Sequence, residues 1–191
     1  DDGFVSISYI VYIAPGRYQL KVVFEGDDYY DDSERTGTLT VLRETTIISV
    51  SSVDTHYGDP CNITAQLTDD ENDAIGGRLV KFYIYYDGSW HLIGYGYTDE
   101  NGVITITYIP DILPSDYQIK AIFEGDGYYE STEQTGTLTV SKEITVLLDP
   151  SINAIRYRNV TISTYLIDDE SDPIAGRIVY FEYYDGSQWI L

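Results

Sequence analysis

The chain has 191 residues, 43% hydrophobic and 14% aromatic, which suffices for about two domains of ordinary size, each with its own core. Its 32 acidic and 11 basic side chains give a net charge of −21, which disfavours nucleic acid and anionic lipid as partners and favours cations or a salty exterior. The single cysteine excludes an internal disulfide, no apolar run is long enough to span a bilayer, and the absence of methionine and of a signal peptide fits an internal or processed segment.

In chain order, YQLKVVFEGDDYYDDSERTGTLTV from Tyr18 returns from Tyr117 as YQIKAIFEGDGYYESTEQTGTLTV, identical at 16 of 24 positions. DDENDAIGGRLVKF from Asp69 returns from Asp168 as DDESDPIAGRIVYF. The period of 99 residues marks one module copied in tandem. Residues 1–43 are the C-terminal half of a unit, 44–142 a complete unit, and 143–191 the N-terminal half of a third.

Within the complete unit, alternating runs of Ile, Val, Thr, Tyr and Phe are separated every eight to twelve residues by Gly, Pro, Asn and Asp. That pattern predicts an all-β sandwich of seven strands. They are A near 45–52, B near 60–68, C at 78–86, C′ at 90–97, E at 103–109, F at 117–124 and G at 135–141. On this frame residues 1–43 carry strands E, F and G, and 143–191 carry A, B, C and C′. The DGS at Asp87 predicts a tight C–C′ hairpin, and DENG ending at Gly102 the turn into E. Alternation points Val80, Phe82, Ile84, Ile119, Ala121 and Phe123 inward, and Lys81, Tyr83 and Tyr85 outward. Cys61 alternates with Ile63, Ala65 and Leu67, which makes it a buried thiol.

The stretch from Tyr117 to Tyr129, with the turn from Thr98 to Val103, has counterparts at Tyr18 to Tyr30 and Asp2 to Phe4. It resembles the bacterial Ig-like repeats of large surface proteins and adhesins, which also occur in archaeal surface proteins. The resemblance implies tandem seven-stranded immunoglobulin-like β-sandwiches in an extracellular stalk, adhesin or surface layer. It also implies a corner tyrosine, at Tyr117 and Tyr18, tying its hydroxyl to the backbone.

Between units, LTVLRETTII and LTVSKEITVL hold no Gly or Pro, which predicts short, stiff junctions and about 35 to 40 Å of rod per unit. The B–C, C′–E and F–G loops should gather at the pole facing the preceding unit, bringing Asp69, Asp70, Asp73 and Asp126 there, with Asp168 and Asp169 as counterparts in the third unit. The opposite pole is acidic too, through Asp54, Asp59, Asp87, Asp111 and Asp116. Stacked like charges call for a counterion, and calcium prefers carboxylates and carbonyls; the alternative is a solvated acidic face that keeps the rod soluble. No EF-hand loop is present.

Tyr83, Tyr85, Tyr180 and Tyr184 line the outer face of the C sheet, where they either pair across strands or stack on sugars. Trp90 and Trp189 follow the C–C′ hairpin. Asn62 and Asn159 begin glycosylation tripeptides, and Asn62 falls on the outward register. His56 and His91 do not recur, and no Ser-His-Asp spacing, CxxC pair or phosphate loop suggests an enzyme. The expected partners are neighbouring repeats, with a host or cell-surface glycan as the alternative. Because the chain is out of frame with its repeat, its half-units need complements. Those come either from one longer chain or from head-to-tail self-assembly into a filament.

Overall fold

The computed structural model describes residues 3–191 and contains strands and no helix among them. The turn expected at residues 2–4 begins at Asp2, outside the described residues. β1 (Gly16–Phe24) and β2 (Ser33–Val41) form an antiparallel hairpin, with Tyr18 facing Leu39. They are strands F and G of the preceding unit, and residues 3–15, where strand E is expected, form no strand.

The central unit follows as β3 (Thr46–Val50), β4 (Val53–His56), β5 (Cys61–Asp69), β6 (Leu79–Tyr86), β7 (Ser89–Tyr97), β8 (Val103–Tyr108), β9 (Ser115–Phe123) and β10 (Thr132–Ser141). They make two sheets, one ordered β3-β5-β8 and one ordered β4-β10-β9-β6-β7. The seven expected strands are all present, but the first is divided: β3 pairs antiparallel with β5, and β4 crosses over to run parallel to β10. Two serines satisfy the backbone at this crossing. Ser51 donates its N–H to the Thr64 carbonyl at 3.0 Å, and the Ser52 hydroxyl accepts the Thr137 N–H at 3.1 Å.

The inward residues meet between the sheets. Ile63, Leu67, Val80, Phe82, Ile84, Ile119, Ala121 and Leu138 are wholly buried, and Cys61 is buried beside them, its thiol pushed up by desolvation against a backbone hydrogen bond. The hairpin between β6 and β7 turns on Asp87 and Gly88, both at positive φ, as a two-residue turn requires. Tyr85 is exposed as expected, whereas Lys81 and Tyr83 are half-buried by neighbours on the outer sheet face.

The third unit starts with β11 (Thr145–Leu147), paired with β12 (Leu166–Asp168), and ends in the hairpin of β13 (Tyr183–Tyr184) and β14 (Trp189–Ile190). These strands are shorter than their central counterparts for a physical reason. In the central unit β5 pairs with β8 and β6 with β9, across the two halves of the unit, and residues 143–191 hold no counterparts of β8 and β9.

Candidate functional site: the acidic junctions

The pole loops are built from aspartates that first serve the backbone. In the β5–β6 loop the Asp69 carboxylate accepts the Asp73 N–H at 2.7 Å while Asn72 takes a positive φ. The third unit repeats this with Asp168, Asp172 at 2.6 Å and Ser171 at positive φ. In the β9–β10 loop one oxygen of Asp126 accepts the N–H groups of Tyr128 and Tyr129 at 2.8 and 2.9 Å, and the other meets Arg78 Nε at 2.9 Å. Desolvation acts against the Asp126 carboxylate, but those two N–H bonds and the charges of Arg78 and Arg43 outweigh it and hold its pKa below the ordinary value.

Between β2 and β3 the chain is clasped by this same loop. Glu44 donates its N–H to the Tyr128 carbonyl at 2.8 Å, its own carbonyl accepts from Glu130 at 2.9 Å, and the Thr46 hydroxyl donates to the Glu130 carbonyl at 2.9 Å. The clasp brings the Glu44 carboxylate to Asp70 and Glu71, with ligand atoms within 4.8 Å of one another. A cavity of about 440 Å³ opens beside it, lined by Ile13, Pro15 and Leu42 of the preceding side and Asp69, Glu71 and Asp73 of the central unit.

The second junction carries the counterparts. Glu143 and Glu170, one period after Glu44 and Glu71, converge with Asp59 from the far pole of the central unit, again within 4.8 Å. The two acidic poles therefore do face each other. Glu143 Oε1 accepts the Ile144 N–H, while its Oε2 is closed off from solvent with no donor. Burial, then a proton-sharing contact with Asp169 and the charge of Asp59, push the Glu143 carboxyl above its ordinary value. Glu71 is raised in the same direction, chiefly by its hydrogen bond with Asp70 and by that carboxylate's charge.

Of the acids expected to hold a cation, Asp70 lies in the first cluster and Asp169 beside Glu143 in the second. Asp69 and Asp168 stand at the rim as loop formers, Asp73 and Asp172 donate their N–H groups to them, and Asp126 is taken by Arg78. Glu44 and Glu143 were missed, since a linker glutamate carries no local signal of the loop that will fold over it.

The outer sheet face carries the second candidate surface. Tyr85 and Trp90 meet edge to face at 5.3 Å, with Lys120 over the Trp90 ring at 4.6 Å; Tyr184 and Trp189 repeat the pair at 5.4 Å. Tyr180 is exposed. Asn62 is exposed, its amide oxygen accepting from the Thr107 hydroxyl at 2.9 Å, and Asn159 is exposed. His91 stacks on Tyr86 at 4.0 Å and His56 lies 3.6 Å from Asp59.

No family model and no curated protein matches the chain. Among solved structures it is similar to domains 1-6 of the surface layer protein SbsC (13% identity, 91% of this chain, 22% of that one, TM-score 0.33) and to the D00-D0 domain of Intimin (14%, 64% and 64%, 0.34). It is also similar to an LPMO from Kitasatospora papulosa (11%, 48% and 50%, 0.35). The chain thus spans less than two thirds of each. At these scores the likeness carries no functional argument, and the strand order and the tyrosine corner decide the fold. The Tyr117 hydroxyl donates to the Leu113 carbonyl, and Tyr18 does the same to Ala14. The fold is an immunoglobulin-like sandwich.

Proposed function

We propose that the chain is a non-catalytic segment of an extracellular or cell-surface filament, stalk or adhesin, in which serial immunoglobulin-like units form a stiff rod. The observation that carries this reading is the clasp on the linker. Glu44 is hydrogen-bonded through both its N–H and its carbonyl into the β9–β10 loop, which leaves little free hinge between one unit and the next. A net charge of −21 and sequons on exposed asparagines suit an exported, soluble rod. At each junction a divalent cation would neutralise the facing carboxylates, and calcium is the cation whose ligand preferences match. Small-angle scattering on chains of increasing repeat number tests the rod: the longest dimension should grow by about 35 to 40 Å per unit. Growth with the square root of unit number, as for beads on a flexible string, would overturn it.

The repeated Tyr85–Trp90 and Tyr184–Trp189 pairs favour a second reading, a module that binds a host or cell-surface glycan through the aromatic face. Glycan-array binding lost in Tyr83→Ala and Tyr85→Ala with folding intact would support it, and silence of the unmodified chain across arrays would remove it.

A further inference from the structure

The edges of the complete unit are unlike. In its five-stranded sheet β4 forms one edge and β7 the other, and in its three-stranded sheet the edges are β3 and β8. β4 is four residues long and carries Asp54 and His56, a short, charged edge of the kind that discourages further pairing. β7 is nine residues long, and from Gly88 to Thr98 the chain holds no Asp, Glu, Lys or Arg although its net charge is −21. β8 lies against it: a Cβ on Gly94 or Gly96 would stand 2.8 Å from Ile106 or 2.9 Å from Ile104. Gly102 to Pro110, which contains β8, is uncharged as well. One flank of an acidic molecule is therefore a wall without charge. On the outer face of β7, Leu92, Tyr95 and Tyr97 are 52%, 67% and 70% exposed.

We propose that β7 is the docking edge for a second copy of this chain, the two strands pairing antiparallel across a two-fold axis and joining their five-stranded sheets into one continuous sheet. The order of residues along β7 selects a second copy as the occupant. With the axis between Ile93 and Gly94, Trp90 meets Tyr97 and Leu92 meets Tyr95 of the other copy on the outer face. On the inner face His91 meets Gly96 and Ile93 meets Gly94 of the other copy. Apolar side chains thus pair on one face and large side chains meet glycines on the other, the self-complementarity that a two-fold contact requires.

Charge points to the same occupant. Two chains at −21 repel, and the flank without carboxylates is where they approach with the least repulsion. The pairing ends where charge resumes: Asp87 before the strand and Asp99 and Glu100 after it are exposed and meet across the pair only at its open ends. The irregularity of the strand is Ile93, the extra residue between the Leu92–Tyr83 and Gly94–Phe82 pairs, and it falls at the axis. Both copies carry this bulge at the same place, so the ladder stays in step on either side of it. The inference goes beyond the rod reading and stands without it, since β7 and β8 belong to the complete unit and a flexible string of such units would pair along the same edge.

The test uses the 191-residue chain. Sedimentation over a wide concentration range should show dimer formation. Leu92→Asp with Tyr95→Asp sets carboxylates opposite one another across the axis and should weaken the dimer by at least about tenfold. Leu92→Lys with Tyr95→Asp sets opposite charges there and should restore it. Both side chains are exposed on the outer face, so an unchanged unfolding midpoint reports that each variant is folded. The register is read separately, by disulfide formation. Leu92→Cys mixed with Tyr95→Cys should oxidise to a cross-linked mixed dimer that neither variant forms alone, Cys61 being buried in both. A chain monomeric at every concentration, association indifferent to the aspartate pair, or cross-linking equal in the mixed and separate variants would overturn the proposal.

Discussion

The Tyr117 hydroxyl donates to the Leu113 carbonyl at 2.5 Å, four residues upstream, and one period earlier Tyr18 donates to the Ala14 carbonyl at 2.7 Å. This bond fixes the corner where the chain enters β9, the strand that joins the two halves of the sandwich through its ladder with β6. Removing only the hydroxyl in Tyr117→Phe leaves the ring and strips the Leu113 carbonyl of its donor. The expected loss is about 1 to 2 kcal/mol. In urea this should shift the midpoint of unfolding with the slope unchanged, and an unshifted midpoint would make the corner ornamental.

Gly102 offers a sharper test of backbone geometry. It sits at φ 71°, and a Cβ placed there would lie 2.2 Å from the Leu67 carbonyl oxygen. Its own carbonyl accepts the Leu67 N–H at 2.9 Å, so the turn cannot retreat without breaking the tie between β5 and β8. Gly102→Ala should therefore cost about 2 kcal/mol or more. Gly88→Ala serves as the control, because the space beside Gly88 is open although its φ is also positive. Equal losses in the two variants would assign the whole effect to φ and none to the close approach.

Much of this fold is legible in residue alternation. Cys61, Ile63, Ala65 and Leu67 occupy one face of β5 because a strand has a period of two, and all four are buried. The division of the first strand was not legible, since Ser51-Ser52 reads as a strand end; its meaning comes from Thr64 and Thr137, which are remote in sequence. The site divides in the same way. The acidic poles follow from loop order, but the partition of their carboxylates does not. Asp126 is claimed by Arg78 from another loop, and Glu44 enters only because the linker folds onto the β9–β10 turn.

Calcium should raise the thermal midpoint and EDTA should lower it. The clusters at Glu44, Asp70 and Glu71 and at Asp59, Glu143 and Glu170 place carboxylates of like charge within 4.8 Å, which a divalent cation converts from repulsion into shared ligation. At a hundredfold excess over its dissociation constant, calcium bound only by the folded junction would add about 2.7 kcal/mol. Glu44→Gln with Asp70→Asn should reduce the calcium response at the first junction without lowering the midpoint in EDTA. An unchanged midpoint in the parent chain would remove calcium from the account.

The junctions should also stiffen on mild acidification. The Glu71 and Glu143 carboxyls lie above their ordinary value of 4.5, the first through its bond to Asp70, the second through burial and the contact with Asp169. A carboxyl raised on folding binds more protons folded than unfolded between the two values. Junction stability therefore falls as pH rises from 4.5 through the raised value and stays low at neutrality. Asp126 runs the other way. Its value is held below 3.8, so its contribution is present above 3.8 and lost as pH falls through the lowered value. At pH 4.5 the crowded glutamates hold more proton folded than unfolded, while the Asp126–Arg78 pair survives above 3.8. Small-angle scattering in calcium-free buffer should then show a straighter, less variable particle at pH 4.5 than at pH 7, and Glu71→Gln with Glu143→Gln should be straight at both. A parent chain equally flexible at the two values would show that the facing carboxylates do not set the junction's stiffness.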